Sequence, residues 1–329
     1  MKLATLPNGH ADGELIVVSR DLSRAVKARD IAPTLVDALA NWSAVEGRLT
    51  QLFEALEQGT AAGAFPLDQE QLAAPLPRAP QWLDGSVFPT HGRLMVQAFA
   101  LDYEAPADWP LMYQGLSDRM LPPRGNVPFR SEADGIDFEG EFAVAVDHVP
   151  MGTDAQAALS HIKLILLVND WSLRAFGAEE MRAGFGFIRA KPSTAFAPVA
   201  VTPDELGGAW DAGRVALDLR VQRGDALFGR ANGREMAFHF GELIAHAAYN
   251  RDLSAGTIIG SGTVSNEDYH RVGSSCIAER RTIEIIEKQQ PETSYLMFGE
   301  RVRLEVLNEE GASVFGAIDQ TVISSGAAQ

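Results

Sequence analysis

The sequence contains little cysteine, few basic residues and no long apolar run. Cys276 is the single cysteine among 329 residues, so no intrachain disulfide can form, which is typical of a reducing cytoplasm. Lys and Arg number 28 against 44 Asp and Glu, and the formal net charge of −16 argues against binding to nucleic acid or anionic membranes. The apolar run Leu164–Val168 is far too short to span a bilayer, and the first residues lack the pattern of a signal peptide. We therefore expect a cytoplasmic protein.

Several widespread motifs are also missing from the sequence. It has no glycine-rich dinucleotide fingerprint after a strand, no phosphate-binding P-loop, no Cys/His spacing for zinc and no G-x-S-x-G serine elbow. We therefore expect no organic cofactor. Hydrophobic residues make up 46% and charged residues 22%, which is ordinary for a globular protein with a full core.

The first part of the chain predicts a small unit made of a β-hairpin and a helix. Met1–Leu6 and Glu14–Ser19 resemble strands, and the turn formers between them favour a hairpin. Apolar residues recur at three- and four-residue steps from Ala32 to Gln58, which predicts one long helix. The proline-rich stretch Ala73–Pro80 predicts an extended linker, because proline removes backbone donors and restricts the residue before it. We place a small accessory domain at residues 1–78.

The remaining residues, 79–329, consist mostly of short β-like runs broken by Gly, Pro and Asp. The runs predicted as strands are Glu141–Val146, Ala197–Thr202, Arg214–Val221, Thr282–Ile286, Arg301–Leu307 and Ala317–Ile323. Two helices are predicted, one from Asp154 as N-cap to Asp170 and one over His239–Asn250. This mixture favours a β-rich α+β catalytic domain over a parallel sheet with regular crossovers.

Three acids stand at alternate positions in the segment Gly135–Asp147. Asp137, Glu139 and Glu141 would share one face of a strand, where like charges repel each other and lose hydration. One interpretation is the solvated face of an edge strand, whose charges prevent unwanted pairing. The other is a site for Ca²⁺ or Mg²⁺, because a hard cation offsets the repulsion and prefers oxygen ligands. The acid row alone leaves both interpretations open.

Further polar residues of the second domain are candidates for the same site. They are Asp84, His91, Tyr113, Asp170, Arg174, Lys191, Thr263 and Glu279. Asp84 and His91 are seven positions apart, and Asp170 ends an apolar run, so its carboxylate is delivered at the edge of a core. Each residue alone also has an ordinary structural explanation as a cap, a turn residue or a solvated surface group.

Taken together, these segments resemble the fumarylacetoacetate hydrolase family. The resemblance rests on E-x-E at Glu139 and Glu141, N-D-W-S at Asn169–Ser172, the later Lys191 and "GSGTVS" near the C-terminus, in the family's order and spacing. It extends over Gln81–Thr321. It implies a mixed β-roll catalytic domain that follows a small N-terminal domain with a β-hairpin and a helix.

The resemblance implies a metal site and so favours the cation interpretation of the acid row. The positions that correspond to the family's metal ligands are Asp84, Glu139, Glu141 and Asp170. The ion implied is Mg²⁺ or Ca²⁺, with Mn²⁺ as a further option. Asp137 is then expected to lie outside the ligand set.

The resemblance also implies hydrolysis of a carbon–carbon bond in a 1,3-dicarbonyl acid. His91 would act as general base toward water, and Glu279 would orient its imidazole. Lys191 and Arg174 would supply positive charge to the tetrahedral oxyanion. The positions that correspond to substrate-binding residues are Tyr113 and Thr263.

Four positions depart from the animal enzymes of the family, namely Ser86, Ala100, Gly177 and Met181. In those enzymes the residues at these positions contact the distal carboxylate of the substrate. These contacts are not retained here, so the identity of the substrate stays open. The preferred substrate is fumarylacetoacetate, cleaved to fumarate and acetoacetate in the catabolism of tyrosine and other aromatic amino acids. The alternatives are an acylpyruvase, decarboxylase, isomerase or hydratase of aromatic catabolism with the same metal, and a metal-binding protein without catalysis. The expected partners are a small anionic dicarbonyl substrate and a second copy of the chain in a homodimer.

Overall fold

A large mixed β-sheet and a smaller one organise the described part of the chain, residues 1–99 and 106–327, in this computed structural model. The strands are β1 (Lys2–Leu6), β2 (Glu14–Val18), β3 (Arg24–Lys27), β4 (Phe65–Pro66), β5 (Trp82–Gly85), β6 (Met112–Gly115), β7 (Arg124–Phe129), β8 (Ile136–Asp137), β9 (Gly140–Val146), β10 (Ile162–Asn169), β11 (Ser172–Leu173), β12 (Ala195–Phe196), β13 (Val199–Val201), β14 (Trp210–Asp211), β15 (Arg214–Val215), β16 (Asp218–Arg223), β17 (Ala226–Asn232), β18 (Ile258–Gly260), β19 (Arg301–Val306) and β20 (Ile318–Ser324). The α-helices are α1 (Leu35–Ala40), α2 (Trp42–Glu57), α3 (Pro89–Phe99), α4 (Ala155–Ala158), α5 (Arg174–Ala183), α6 (Phe240–Ala247), α7 (Tyr269–Val272) and α8 (Ile277–Lys288). The predicted β-rich α+β class is confirmed.

The large sheet joins the first residues of the chain to the later ones. Its strand order is β4-β3-β2-β1-β13-β10-β9-β18-β5-β6, and β12 also pairs with β10. The predicted hairpin is confirmed as β1 and β2, and β1 continues the sheet by pairing with β13, with Lys2 opposite Val201. The two predicted domains therefore share one sheet, and their division at residue 79 stays a prediction.

Two helices cover one face of the hairpin. Leu3 and Val17 point into the core formed with α1 and α2, where Leu49 and Phe53 lie on the buried stripe of α2. The single helix predicted over this region is divided in two, because Asn41 has a non-helical φ of −126° between α1 and α2.

Two other segments differ from the sequence prediction. The helix predicted from Asp154 ends at Ala158, and Ile162–Asn169 forms β10. Since β10 is buried on both faces, its apolar run lacks the alternation that would have identified a strand. The strand predicted over Thr282–Ile286 is part of α8, because tertiary packing against α3 overrides the strand preference of its β-branched residues.

Of the acid row, only Glu141 lies in the large sheet, in β9. Asp137 lies in β8, which pairs with β11, and Glu139 stands between β8 and β9. Strand β9 pairs with β10 on one side and with β18 on the other, so it has no free edge. Asp137, Glu139 and Glu141 are 0%, 5% and 0% exposed, respectively. The edge-strand interpretation is therefore wrong, and the carboxylates need partners inside the protein.

The smaller sheet, with strand order β17-β16-β19-β20-β7, packs against the start of β9. Gly140 stands between the two glutamates of the acid row, where an added Cβ would lie 2.8 Å from Leu219 Cδ2. The absence of a side chain at Gly140 thus lets the sheets approach while Glu139 and Glu141 keep their places. None of the helices among the described residues combines the length and apolar character needed to cross a membrane.

Candidate metal-binding and catalytic site

Three buried acids from different strands converge at one point. Asp84 lies in β5, Glu141 lies in β9, and Asp170 follows β10 directly. Each offers a carboxylate oxygen within 4.8 Å of the other two. Burial and the neighbouring carboxylates raise the pKa of Asp84 and of Glu141 well above the usual values. We call these three residues the acid cluster.

Glu141 receives the least support from the protein. Its two carboxylate oxygens are buried and accept no hydrogen bond within the described ranges. Asp84, by contrast, accepts the backbone N–H of Gly262 at 3.0 Å. A buried carboxylate without donors is unfavourable, and a hard divalent cation satisfies several carboxylate oxygens at once. The acid cluster therefore fits a divalent cation, which Asp84, Glu141 and Asp170 could hold.

Glu139, the remaining predicted ligand, is paired with two cations. Lys191 Nζ lies 2.5 Å from Glu139 Oε2 and 2.6 Å from Asp170 Oδ2, and Arg174 Nη2 lies 2.6 Å from Glu139 Oε1. Burial acts to raise the pKa of Glu139, but the charges of Lys191 and Arg174 outweigh it and lower that pKa. Burial likewise opposes the charge of Lys191, but Asp170 and Glu139 raise its pKa, so the ammonium stays protonated. Glu139 thus lies beside the acid cluster, and its role as a ligand stays a prediction.

Asp170 is the best-supported member of the acid cluster. Tyr113 donates its hydroxyl to Asp170 Oδ2 at 2.6 Å, and Thr194 donates to Oδ1 at 2.5 Å. Burial and the charge of Asp170 raise the pKa of Tyr113, which keeps the phenol a donor. Thr194, which directly precedes β12, was not predicted from the sequence, where nothing distinguishes it from other threonines. Thr263 is buried in the loop that follows β18, next to Gly262.

The predicted His–Glu pair is formed. His91 Nδ1 lies 2.8 Å from Glu279 Oε2, although 188 positions separate the two residues. His91 stands in the first turn of α3, and the fully buried Glu279 is the third residue of α8. Cys276, the N-cap of α8, forms a β-bridge with Glu139. The His91–Glu279 pair therefore lies about one helical turn from the acid row.

An unpredicted acid fixes the loop that leads to Lys191. Glu180 in α5 accepts the backbone N–H groups of residues 188, 189 and 190 at 3.1, 2.9 and 3.1 Å. These hydrogen bonds lower the pKa of Glu180. In the same loop, the Phe187 ring meets the Tyr113 ring edge to face at 5.2 Å. In the sequence Glu180 is indistinguishable from a surface acid of an amphipathic helix.

We expect Glu180→Gln to loosen this loop, because an amide has one acceptor oxygen and its NH₂ group cannot accept the remaining N–H groups. Hydrogen exchange of the peptide covering residues 184–191 should accelerate severalfold. Glu179→Gln is the matched control, since Glu179 is exposed on the same helix and accepts none of these backbone N–H groups. Equal exchange in the two variants would contradict the assignment.

The positions that depart from the animal enzymes of the family carry no charge. Ser86 is exposed just after β5, and Gly177 and Met181 are four residues apart on α5, with Met181 67% exposed. Ala100 lies outside the described residues. This turn of α5 therefore offers no charged group at positions 177 and 181 to a substrate.

Two family models match the chain, and both describe fumarylacetoacetase-type proteins. Residues 82–323 match the family described as fumarylacetoacetate (FAA) hydrolase C-terminal, and residues 1–78 match fumarylacetoacetase N-terminal domain 2. A 2,4-didehydro-3-deoxy-L-rhamnonate hydrolase of Sphingomonas sp. (strain SKA58) is 25% identical over 186 residues, 53% of this chain. The matched region spans 62% of that relative's length.

Solved structures share the fold over nearly the whole chain. Maleylpyruvate hydrolase from Sphingobium sp. SYK-6, in complex with manganese(II) and pyruvate, is similar with a TM-score of 0.67 and 17% identity, over 98% of this chain and 99% of that one. A 5-carboxymethyl-2-hydroxymuconate delta-isomerase from Mycobacterium smegmatis has a TM-score of 0.61 and 16% identity, over 99% and 100% of the chains. Fumarylacetoacetate hydrolase from psychrophilic Exiguobacterium antarcticum has a TM-score of 0.62 and 17% identity, over 98% and 99%.

Proposed function

The chain belongs to the fumarylacetoacetate hydrolase family, and from this premise we propose that it hydrolyses a carbon–carbon bond in a 1,3-dicarbonyl acid with a bound divalent cation. The observation that carries the proposal is the pairing of His91 with the buried Glu279 beside a buried acid cluster. The acid cluster alone would suit a metal-binding protein. A buried carboxylate behind an imidazole is the arrangement that prepares a histidine for proton transfer.

In the proposed reaction, the His91–Glu279 pair activates water. Glu279 occupies Nδ1, so Nε2 of His91 is left to take a proton as the water oxygen attacks a carbonyl carbon. The Glu279 carboxylate stabilises the imidazolium that forms. The bond between the attacked carbon and the central carbon then breaks, which gives a carboxylic acid and an enolate. The enolate carbon takes up a proton, so the overall change is the addition of one water molecule.

The cations of the site would stabilise negative charge on oxygen during this reaction. Lys191 stays protonated between Glu139 and Asp170, and Arg174 is fixed by Asp137 and Glu139. When bound at the acid cluster, a divalent cation supplies a Lewis acid that polarises the substrate oxygens. Tyr113 and Thr263 are proposed to contact the substrate.

We propose fumarylacetoacetate as the first substrate and Mg²⁺, Ca²⁺ or Mn²⁺ as the ion. An acylpyruvate such as maleylpyruvate is the second candidate, because a structural neighbour carries that name with manganese and pyruvate bound. Positions 177 and 181 carry no charge, so they form no ion pair with the distal carboxylate of either substrate. Another neighbour is named an isomerase, but a water-activating pair favours hydrolysis over isomerisation. The homodimer, the role in tyrosine catabolism and the cytoplasmic location stay predictions.

The test is an assay of the metal-loaded protein against fumarylacetoacetate, maleylpyruvate and oxaloacetate. Loss of ultraviolet absorbance should accompany formation of two shorter acids, and one ¹⁸O from labelled water should enter a product carboxylate. An isomerase would change the absorbance without splitting the carbon chain. Failure to cleave any 1,3-dicarbonyl acid with Mg²⁺, Mn²⁺ or Ca²⁺ would overturn the proposal.

A further inference from the structure

Asp137 is the member of the acid row that the proposed reaction does not use. It is fully buried, and its carboxylate has three donors from two other segments. Oδ1 accepts the backbone N–H of Ile277 at 2.7 Å, and Oδ2 accepts that of Ala278 at 2.8 Å. Oδ2 also accepts Arg174 Nε at 2.8 Å. Asp137 is thus satisfied by the protein itself, without a metal.

The two backbone donors open the helix that carries Glu279. Ile277 and Ala278 are the first two residues of α8, whose N–H groups have no partner within the helix. A carboxylate at this end also interacts favourably with the helix dipole. Glu279 is the next residue, so the carboxylate of Asp137 fixes the backbone directly before it. The N-cap residue of α8, Cys276, accepts the Glu279 N–H through Sγ at 3.3 Å, and a thiol sulfur is only a weak acceptor.

The third donor connects the same carboxylate to the acid row. Arg174 contacts Asp137 through Nε and Glu139 through Nη2. A rigid guanidinium therefore bridges Asp137 and Glu139, two acids of the row. The start of α8 is therefore held near Glu139 by the side chains of Asp137 and Arg174 and also by the β-bridge between Cys276 and Glu139.

We propose that Asp137 is a positioning residue that holds the start of α8, and through it the Glu279 carboxylate, against His91 and the acid row. It acts on turnover through Glu279 and does not touch the substrate. The three acids of the row then have three tasks: Asp137 anchors the helix, Glu139 pairs with cations, and Glu141 faces the cation site. The kinetic part of this inference rests on the proposed function, whereas its spectroscopic part does not.

Asp137→Asn removes one acceptor oxygen and turns an NH₂ group toward donors. We expect kcat to fall by about tenfold or more, with a change in KM of less than about threefold, because the loss concerns proton transfer and not binding. In a His91→Ala background the same substitution should have almost no further effect on kcat, since the transfer that it disturbs is already disabled. A purely structural role would lower kcat equally in both backgrounds, and that result would overturn the proposal.

Asp154→Asn is the matched control. Like Asp137, Asp154 accepts a backbone N–H in the first turn of a helix, that of Ala157 at 2.8 Å, but as the N-cap of α4 it is exposed on the surface. Its substitution should leave kcat unchanged. A loss in this control as large as that in Asp137→Asn would also count against the assignment.

A measurement without substrate separates this inference from the proposed function. The proton that His91 Nδ1 shares with Glu279 should give a downfield ¹H NMR signal in the metal-loaded wild-type protein, and Asp137→Asn should broaden or remove it. If no substrate is cleaved but the signal depends on Asp137, the proposed function fails and the positioning role stands. If the signal is unchanged in Asp137→Asn, the positioning role fails, whatever the activity.

Ile277→Pro provides a second variant in case Asp137→Asn does not fold. Proline is accepted at the first position of a helix, and the extended backbone of Cys276 suits the residue before it. The substitution removes one donor to Asp137 and leaves every charge in place. Ile277→Val is its control, because it also shortens the side chain but keeps the N–H group. We expect kcat and the NMR signal to decrease in Ile277→Pro relative to Ile277→Val, and equality of the two variants would contradict the proposal.

Discussion

Glu141→Gln is expected to stabilise the metal-free protein at neutral pH and to abolish most of its affinity for divalent cations. Glu141 is fully buried among carboxylates, and its oxygens accept no hydrogen bond from any described residue. A neutral amide of nearly the same shape removes the repulsion and can donate to Asp84 or Asp170. The gain in free energy of unfolding should be about 1–3 kcal/mol, the scale of an unsatisfied buried group. The substitution is unfavourable only for the metal-bound protein, which loses a ligand.

The metal affinity of this variant should fall by more than about a hundredfold, because loss of a ligand should exceed the roughly 10–100-fold effect of losing an outer-shell partner. Titration with Mn²⁺ by calorimetry or by electron paramagnetic resonance measures it directly. Glu54→Gln is the control, since Glu54 is an exposed acid on α2. Unchanged Mn²⁺ affinity in Glu141→Gln would remove the acid cluster from consideration as the metal site.

The same variant should also change how stability depends on pH. The pKa values of Asp84 and Glu141 are raised in the metal-free fold, mainly by burial. A carboxyl with a raised folded pKa contributes stability below its ordinary pKa of about 4, and it loses that contribution as the pH rises through the folded value. The advantage of Glu141→Gln over the wild type in chelator should therefore grow from about pH 4 upward. Thermal unfolding in chelator and in excess Mn²⁺ tests this, and excess Mn²⁺ should reverse the sign.

Two features of the site could be predicted from the sequence because they are local. Asp170 was recognised at the end of an apolar run that is now β10, even though that run was assigned to a helix. The wrong assignment of this run did not change the predicted place of the Asp170 carboxylate, because the predicted helix and the observed strand end at the same boundary. The acid row was likewise recognised from its alternation. The burial of Glu141 in β9, between β10 and β18, depends on strand order, which no local pattern contains.

What the sequence could not supply is the assignment of partners. Glu139 and Glu141 occupy equivalent positions in the row, yet one is paired with two cations and the other has no donor among the described residues. The difference arises from Arg174 and Lys191, which reach the row from other segments. Asp137 presents the same limit, since its contacts lie 140 and 141 residues away at the start of α8. Long-range pairing decides these roles, and spacing alone does not encode it.

His91→Ala is expected to lower kcat by about a hundredfold or more, the usual scale for the loss of a positioned general base. The imidazole is bound to Glu279 at 2.8 Å and makes no contact with the acid cluster that would qualify it as a ligand. Mn²⁺ affinity should therefore stay within about threefold of the wild type, and equal Mn²⁺ titrations confirm that the cluster is intact. Steady-state kinetics on the substrate that the wild type cleaves supplies kcat.

Glu279→Gln should leave the imidazole in place but remove the charge that stabilises its protonated form. We expect kcat to fall while KM changes little, because the carboxylate acts in the transition state and not in substrate binding. The double variant should be close to His91→Ala alone, since each substitution disables the same proton transfer. In the wild type, Glu279 Oε1 has no hydrogen bond within the described part of the chain. An amide NH₂ group in place of Oε1 therefore breaks no existing hydrogen bond. Additive losses, or a His91→Ala enzyme within a fewfold of wild type, would mean that water is activated by another group.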